Sequence, residues 1–147
     1  MTTTPILIHL AESDSDILAC LPVLRELRPN LLRETFLATI RRMQGNGYFL
    51  AMLESKRKVR AVTGYRFSEH LSRGSFLYVD DFVTASDQMR KGYGQKLFAW
   101  LLKTAEAARC REMHLDSGVH RTGAHLFYEK QQMTFASRHY AIRLKVT

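Results

Sequence analysis

A run of β-forming residues, FLYVDDFVT (76–84), leads within a few positions into MRKGYGQ (89–95) and then into a long amphipathic stretch. No other feature constrains the fold as strongly. Leu97, Leu101, Leu102, Ala105 and Ala108 recur on one side of that stretch, and Phe98 and Trp100 widen the stripe. The spacing predicts a helix running from the glycines to about Arg109. REMHLDS (111–117) then alternates as a strand does. Strand, helix and strand in this order form a βαβ crossover, so the two strands are expected to be parallel and adjacent, with a right-handed connection.

The remaining segments fit around this unit. ILIHLA (6–11) reads as a first strand. Ile17, Leu18, Leu21, Leu24 and Leu27 stand at helical spacing, with Ser13 or Asp14 as the N-cap. Pro22 lies inside that helix and predicts a kink or a break, and Pro29 and Asn30 end the region. LLRETFLATIRRMQ (31–44) repeats Leu32, Phe36, Ile40 and Met43 as a second helix, stopped by GNG at 45–47. YFLAMLE (48–54), a polar SKRK turn, VRAVTGYRF (59–67) and the strand at 76–84 predict an antiparallel meander. TGAHLFYEKQ (122–131) reads as a short helix, and MTFASRHYAIRLKV (133–146) as one long strand or a hairpin. The expected class is a mixed α/β fold, its sheet mostly antiparallel around a central βαβ unit, with helices on both faces. The chain shows no internal repeat or linker, and its 147 residues fit a single domain, 1–147.

The glycine turn has a chemistry of its own. A helix N-terminus leaves backbone N–H groups without partners and carries a partial positive charge, so anions settle there. Gly92 and Gly94 remove side chains that would hold a phosphate away, and they let successive N–H groups aim into one concavity. Arg90, Lys91 and Lys96 add charge at the rim. The turn is therefore read as a phosphate cradle, suited to a pyrophosphate. Neither a P-loop pattern nor a full dinucleotide fingerprint in the first βαβ unit is present, which calls for a different kind of phosphate binder.

The order of elements supplies one. The chain resembles the GCN5-related N-acetyltransferases, the GNAT superfamily, whose central helix opens with Arg/Gln-x-x-Gly-x-Gly/Ala. Met89-Arg90-Lys91-Gly92-Tyr93-Gly94 matches at both glycines and differs at Met89. YVDDFVT and LDSGVHRTGAHLFYEKQQM stand in the order and spacing of a bacterial GNAT subgroup. The resemblance implies a GNAT fold and an N-acetyltransferase with acetyl-CoA as donor. It places the pyrophosphate on Arg90, Lys91, Gly92, Tyr93, Gly94 and Gln95. It lays the pantetheine arm along the main chain of Phe82, Val83 and Thr84, and it brings Arg121 to the cofactor or a phosphate. It implies Tyr128 as the general acid that protonates the departing thiolate. The base that frees the attacking amine is sought among Asp80, Asp81 and Asp116. Strand alternation points Asp80 and Asp81 to opposite faces, and Asp81 and Asp116 rank level.

The acceptor is read as an amine of a small molecule, a peptide or a protein, drawn into a groove built from residues 31–44 and 70–73. A net charge of +8 raises nucleic acid as a rival partner. Against that, the basic residues form no aromatic-interleaved repeat and no DNA-reading motif. A CoA-binding sensor without turnover is the other alternative. No metal is expected, because His120 and His125 are wrongly spaced for one helix face and no cysteine joins them. Cys20 and Cys110 stand far apart, in keeping with a reduced, cytoplasmic protein. No apolar run is long enough for a membrane span, and no signal peptide is expected at the N-terminus. Relatives often pair through sheet edges or C-terminal strands, so the resemblance extends to a homodimer.

Overall fold

The structure is a computed structural model that describes residues 5–88 and 91–146. The chain divides into two compact units, one ending at His114 and one beginning at Leu115. The first unit holds the sheet. Its strands are β1 (Ile6–Leu10), β2 (Phe49–Ser55), β3 (Lys58–His70), β4 (Gly74–Thr84) and β5 (Glu112–Leu115, which reaches one residue past the boundary). They lie side by side in the order β1-β2-β3-β4-β5. The pairs β1–β2, β2–β3 and β3–β4 are antiparallel, which is the expected meander. Lys56 and Arg57 make the β2–β3 turn in the left-handed region, with φ of 53° and 61°, the conformation a two-residue hairpin requires. β4 and β5 are neighbours in the sheet and flank α3 (Tyr93–Ala107) in sequence, so the crossover is present.

Helices cover both faces. α1 (Asp14–Leu27) and α2 (Arg33–Gly45) bury Ile17, Leu21, Leu24, Phe36 and Ile40 against Leu50, Met52 and Val62. On the other face, Leu97 of α3 packs with Leu53, Ala61 and Phe82. The alternation within β2 explains this division: Leu50 and Met52 go to one side and Leu53 to the other, so a continuous apolar run serves two layers. α1 starts where Ser13 Oγ accepts the Asp16 N–H at 3.1 Å. It then runs unbroken through Pro22, contrary to the expected break. The proline forgoes one backbone hydrogen bond, while burial of Cys20, Leu21, Val23 and Leu24 around it keeps the helix together.

The second unit contains α4 (Thr122–Lys130), which ends at Gln131 with Gln132 in the left-handed region at φ 68°. Residues 133–146 form no strand, against the expectation of a strand or hairpin. Tyr140, Ile142, Leu144 and Val146 keep a period of two, but alternation makes a strand only where a neighbour supplies hydrogen bonds. The described sheet ends at β5, and these four side chains are exposed.

Candidate active site

The turn before α3 is built as its sequence implies. Gly92 is the N-cap, left-handed at φ 80°, and no side chain caps the helix. The first helical hydrogen bond runs from the Lys96 N–H to the Gly92 carbonyl at 3.1 Å. The N–H groups of Tyr93, Gly94 and Gln95 therefore precede the helix's own ladder. A Cβ on Gly92 would meet no atom within 4 Å, so the hollow in front of the turn is open. Lys91, Gln95 and Lys96 are exposed around it. Such a cradle fits a diphosphate by partial charge and by room. Met89 and Arg90 lie outside the described residues.

One edge of β4 is free beside this turn. On one side, Phe82, Val83 and Thr84 pair with Thr63, Val62 and Ala61 of β3. On the other side, the Arg111 N–H meets the Ser75 carbonyl at 2.8 Å, and β5 then runs for only four residues. A four-residue strand anchored at the start of an eleven-residue one leaves the distal end of β4 unpaired by any described strand. Main-chain groups at 82–84 are thus available to an extended amide-bearing ligand.

Between these features the register slips. Gly64 pairs with Asp81 but Tyr65 pairs with Val79, so Asp80 is an extra residue in a β-bulge. The bulge corrects the expectation that Asp80 and Asp81 face opposite ways: both carboxylates turn into one polar network. Tyr48 Oη donates to Asp81 Oδ2 at 2.8 Å, and Arg28 Nε donates to Asp81 Oδ1 at 3.0 Å. Arg66 Nε donates to Asp80 Oδ2 at 2.8 Å, and its guanidinium lies 5.3 Å from the centre of the Tyr48 ring. Arg28 also donates to the Asp80 carbonyl at 3.1 Å, and Thr63 Oγ1 to the Asp81 carbonyl at 2.8 Å. The remaining oxygen, Asp80 Oδ1, is buried and has no partner among the described residues. Burial raises the Asp80 carboxyl above its ordinary range, with Arg66 opposing. Burial, and then the Asp81 charge beside it, push the Tyr48 phenol far up, so it stays a donor.

This network stands on Gly64. A Cβ there would come 1.7 Å from Tyr48 Oη and 2.3 Å from Cζ. Only glycine lets the tyrosine lie across β3 and reach Asp81. Tyr48 also lines a cleft of about 250 Å³ with Glu12, Arg41, Gln44 and Phe49.

In the second unit, Tyr128 stands on α4 with its ring 5.6 Å from that of Phe127. Burial raises its phenol, and the Arg121 charge opposes the rise. The phenol is therefore neutral and carries its proton at pH 7. Asp116 has a half-exposed side chain with His139 Nδ1 3.4 Å from Oδ1. His125 Nε2 donates to the Gly118 carbonyl at 2.9 Å, which fixes the loop ahead of α4. Among the described residues no group of three or more His, Cys, Asp or Glu side chains is placed to hold a metal ion.

The sequence profile of the Acetyltransferase (GNAT) family matches residues 8–133. The chain belongs to the GNAT family. It is an acetyl-CoA-dependent N-acetyltransferase. Over 126 residues it is 32% identical to YhdJ of Bacillus subtilis (strain 168), an uncharacterized N-acetyltransferase, covering 85% of this chain and 88% of that one. Among solved structures, the aminoglycoside N-acetyltransferase AAC(6')-Iy in complex with CoA superposes with a TM-score of 0.85 at 11% identity, covering 99% of this chain and 98% of that one. Glucosamine-6-phosphate N-acetyltransferase from Arabidopsis thaliana gives 0.75 at 21% identity, covering 96% and 99%. At such identities these likenesses concern the fold.

Within this GNAT fold, residues 82–84 and 91–95 occupy consecutive stretches of the first unit, as the sequence implies. Tyr48, Arg28 and Arg66 went unforeseen. They are distant in sequence from the aspartates they hold, but Gly64 inside a strand of large residues was a readable sign of close approach by another group.

Proposed function

We propose that the chain moves the acetyl group of acetyl-CoA directly to a primary amine of a small molecule, peptide or protein. The observation that carries this reading is the uncapped N-terminus of α3 behind a left-handed Gly92, following the free edge of β4. The N–H groups of Tyr93, Gly94 and Gln95 would hold the pyrophosphate, with Lys91 and Arg90 adding charge. The backbones of Phe82, Val83 and Thr84 would pair with the amides of the pantetheine arm, and Arg121 would meet the cofactor. Acetyl-CoA supplies a thioester carbonyl already activated for attack. Holding amine and donor in line contributes on the order of 7–11 kcal/mol in favourable cases.

The side chains then manage protons. Tyr128 would give its proton to the departing sulfur, a role supported by a phenol that burial keeps neutral. Asp81 is committed to Arg28 and Tyr48. We therefore assign removal of the amine proton to Asp116, whose half-exposed carboxylate is open to water, directly or through one water molecule.

The family match from 8 to 133 runs through both compact units and supports reading 1–147 as a single domain. Two free cysteines support a cytoplasmic setting, and no helix among the described residues is long and apolar enough to cross a membrane. A homodimer remains part of the proposal. The test is a panel of amines with acetyl-CoA as donor and detection of released thiol. Turnover of at least one amine is expected. If none is acetylated while CoA still raises the melting temperature, the chain is a sensor.

A further inference from the structure

The acceptor side of the site can be read from its charges. This step rests on the proposed transfer to an amine and on the bulge of β4 lying where that amine arrives. Two adjacent aspartates on one face look like an attractive pocket for a polycation. The structure shows the opposite balance. Asp80 is paired with Arg66 and Asp81 with Arg28, so the four side chains sum to zero charge. The flanking surface adds no acidic excess. Arg41, in the neighbouring cleft, is paired with Asp14 at 2.6 Å, and Arg33 and Arg42 on α2 stand against a single acidic residue of that helix, Glu34. Only Asp80 Oδ1 is left as a buried acceptor without a partner. One such oxygen can accept one N–H. A second ammonium group nearby would meet two guanidinium groups and no free carboxylate, and like charges at such range repel.

We infer that the acceptor is an amine bearing a single positive charge, received through Asp80 Oδ1, and that Arg28 and Arg66 set this preference by neutralising the paired aspartates. The chain thus differs in acceptor class from an enzyme built for polycationic amines, although it shares the fold of an aminoglycoside N-acetyltransferase.

The test uses the full chain and two readouts. Phenethylamine and glycinamide serve as monocations, spermidine and neamine as polycations. Each is titrated calorimetrically into the CoA-saturated protein, and each is assayed for thiol release with acetyl-CoA. Wild type is expected to favour the monocations by about tenfold or more in both readouts, the order expected from one like charge several ångströms away in a partly buried site. Arg28→Gln and Arg66→Gln should each move the ratio toward the polycations by about tenfold. A rise in melting temperature with CoA confirms that each variant is folded, and Arg66→Lys, which keeps the charge, should keep the wild-type ratio. The inference is overturned if wild type prefers spermidine or neamine, if it binds neither class, or if both folded glutamine variants keep the wild-type ratio. Absence of thiol release from every amine would instead remove the transfer reading, and the calorimetric ratio would still decide the charge preference.

Discussion

Gly64→Ala is the substitution that most sharply tests the carboxylate network. The new Cβ would stand 1.7 Å from Tyr48 Oη, 2.3 Å from Cζ and 2.6 Å from Cε1. Tyr48 is 3% exposed and cannot swing into solvent without emptying its place in the core. Forcing extra volume into a packed interior costs about 1–3 kcal/mol. If the ring retreats, its hydrogen bond to the Asp81 carboxylate is lost, a further ~1.5–3 kcal/mol. The combined loss of about 2.5–6 kcal/mol is a large share of the ~5–15 kcal/mol that holds a typical domain. For a chain of this size each kcal/mol lowers Tm by about 2–4 °C, so a fall on the order of 5–20 °C is expected. Urea unfolding and thermal melting both read it. The double variant Gly64→Ala/Tyr48→Ala removes the obstructing ring and should cost less than the sum of the two single changes. A Gly64→Ala protein within about 0.5 kcal/mol of wild type would refute the reasoning, because no ring could then lie across β3.

Other expectations can be checked separately. Tyr128→Phe should lower kcat by about 10²–10⁴ while leaving the KM for acetyl-CoA nearly unchanged, the pattern of a lost general acid. Because burial raises the Tyr128 phenol, the activity of wild type should show no loss attributable to phenol ionisation below about pH 10. His9 has one nitrogen 3.0 Å from the Leu10 carbonyl and the other 2.6 Å from Glu54 Oε1, two acceptors that favour the imidazolium. The hydrogen bond to Glu54, then that to Leu10, raise the imidazole above its ordinary 6.5. The resulting stability is fully present below pH 6.5 and fades as pH rises through the higher folded value. Because His9 is 39% exposed, the effect should stay under about 1 kcal/mol, and His9→Gln should flatten it in melts run from pH 5 to 9.

The parts of this protein governed by local rules were readable in the sequence. Helical spacing located α1 to α4, the polar SKRK turn located the β2–β3 hairpin, and two glycines ahead of a helix located the anion cradle. What escaped depended on partners far away along the chain. Alternation assumes an undisturbed ladder, and the bulge at Asp80 breaks it because Gly64 admits Tyr48 from 16 residues upstream, so both aspartates face the same way. Pro22 passed without a break because its helix is held by tertiary burial rather than by its own hydrogen bonds alone. The segment 133–146 carries the period of a strand, yet period alone supplies no neighbour to pair with. Roles for Tyr128, Asp116 and Arg121 came from family resemblance, since a buried tyrosine next to Phe127 reads equally as core on its own.

The account turns on the main-chain N–H groups that open α3. Backbone amide resonances followed by NMR while acetyl-CoA is titrated into uniformly labelled protein would test that claim directly. The account predicts that Tyr93, Gly94 and Gln95 show the largest downfield amide shifts, and that S-acetylpantetheine, which lacks the diphosphate, leaves them in place while still moving residues 82–84. Saturating acetyl-CoA that leaves these three amides unmoved would contradict it.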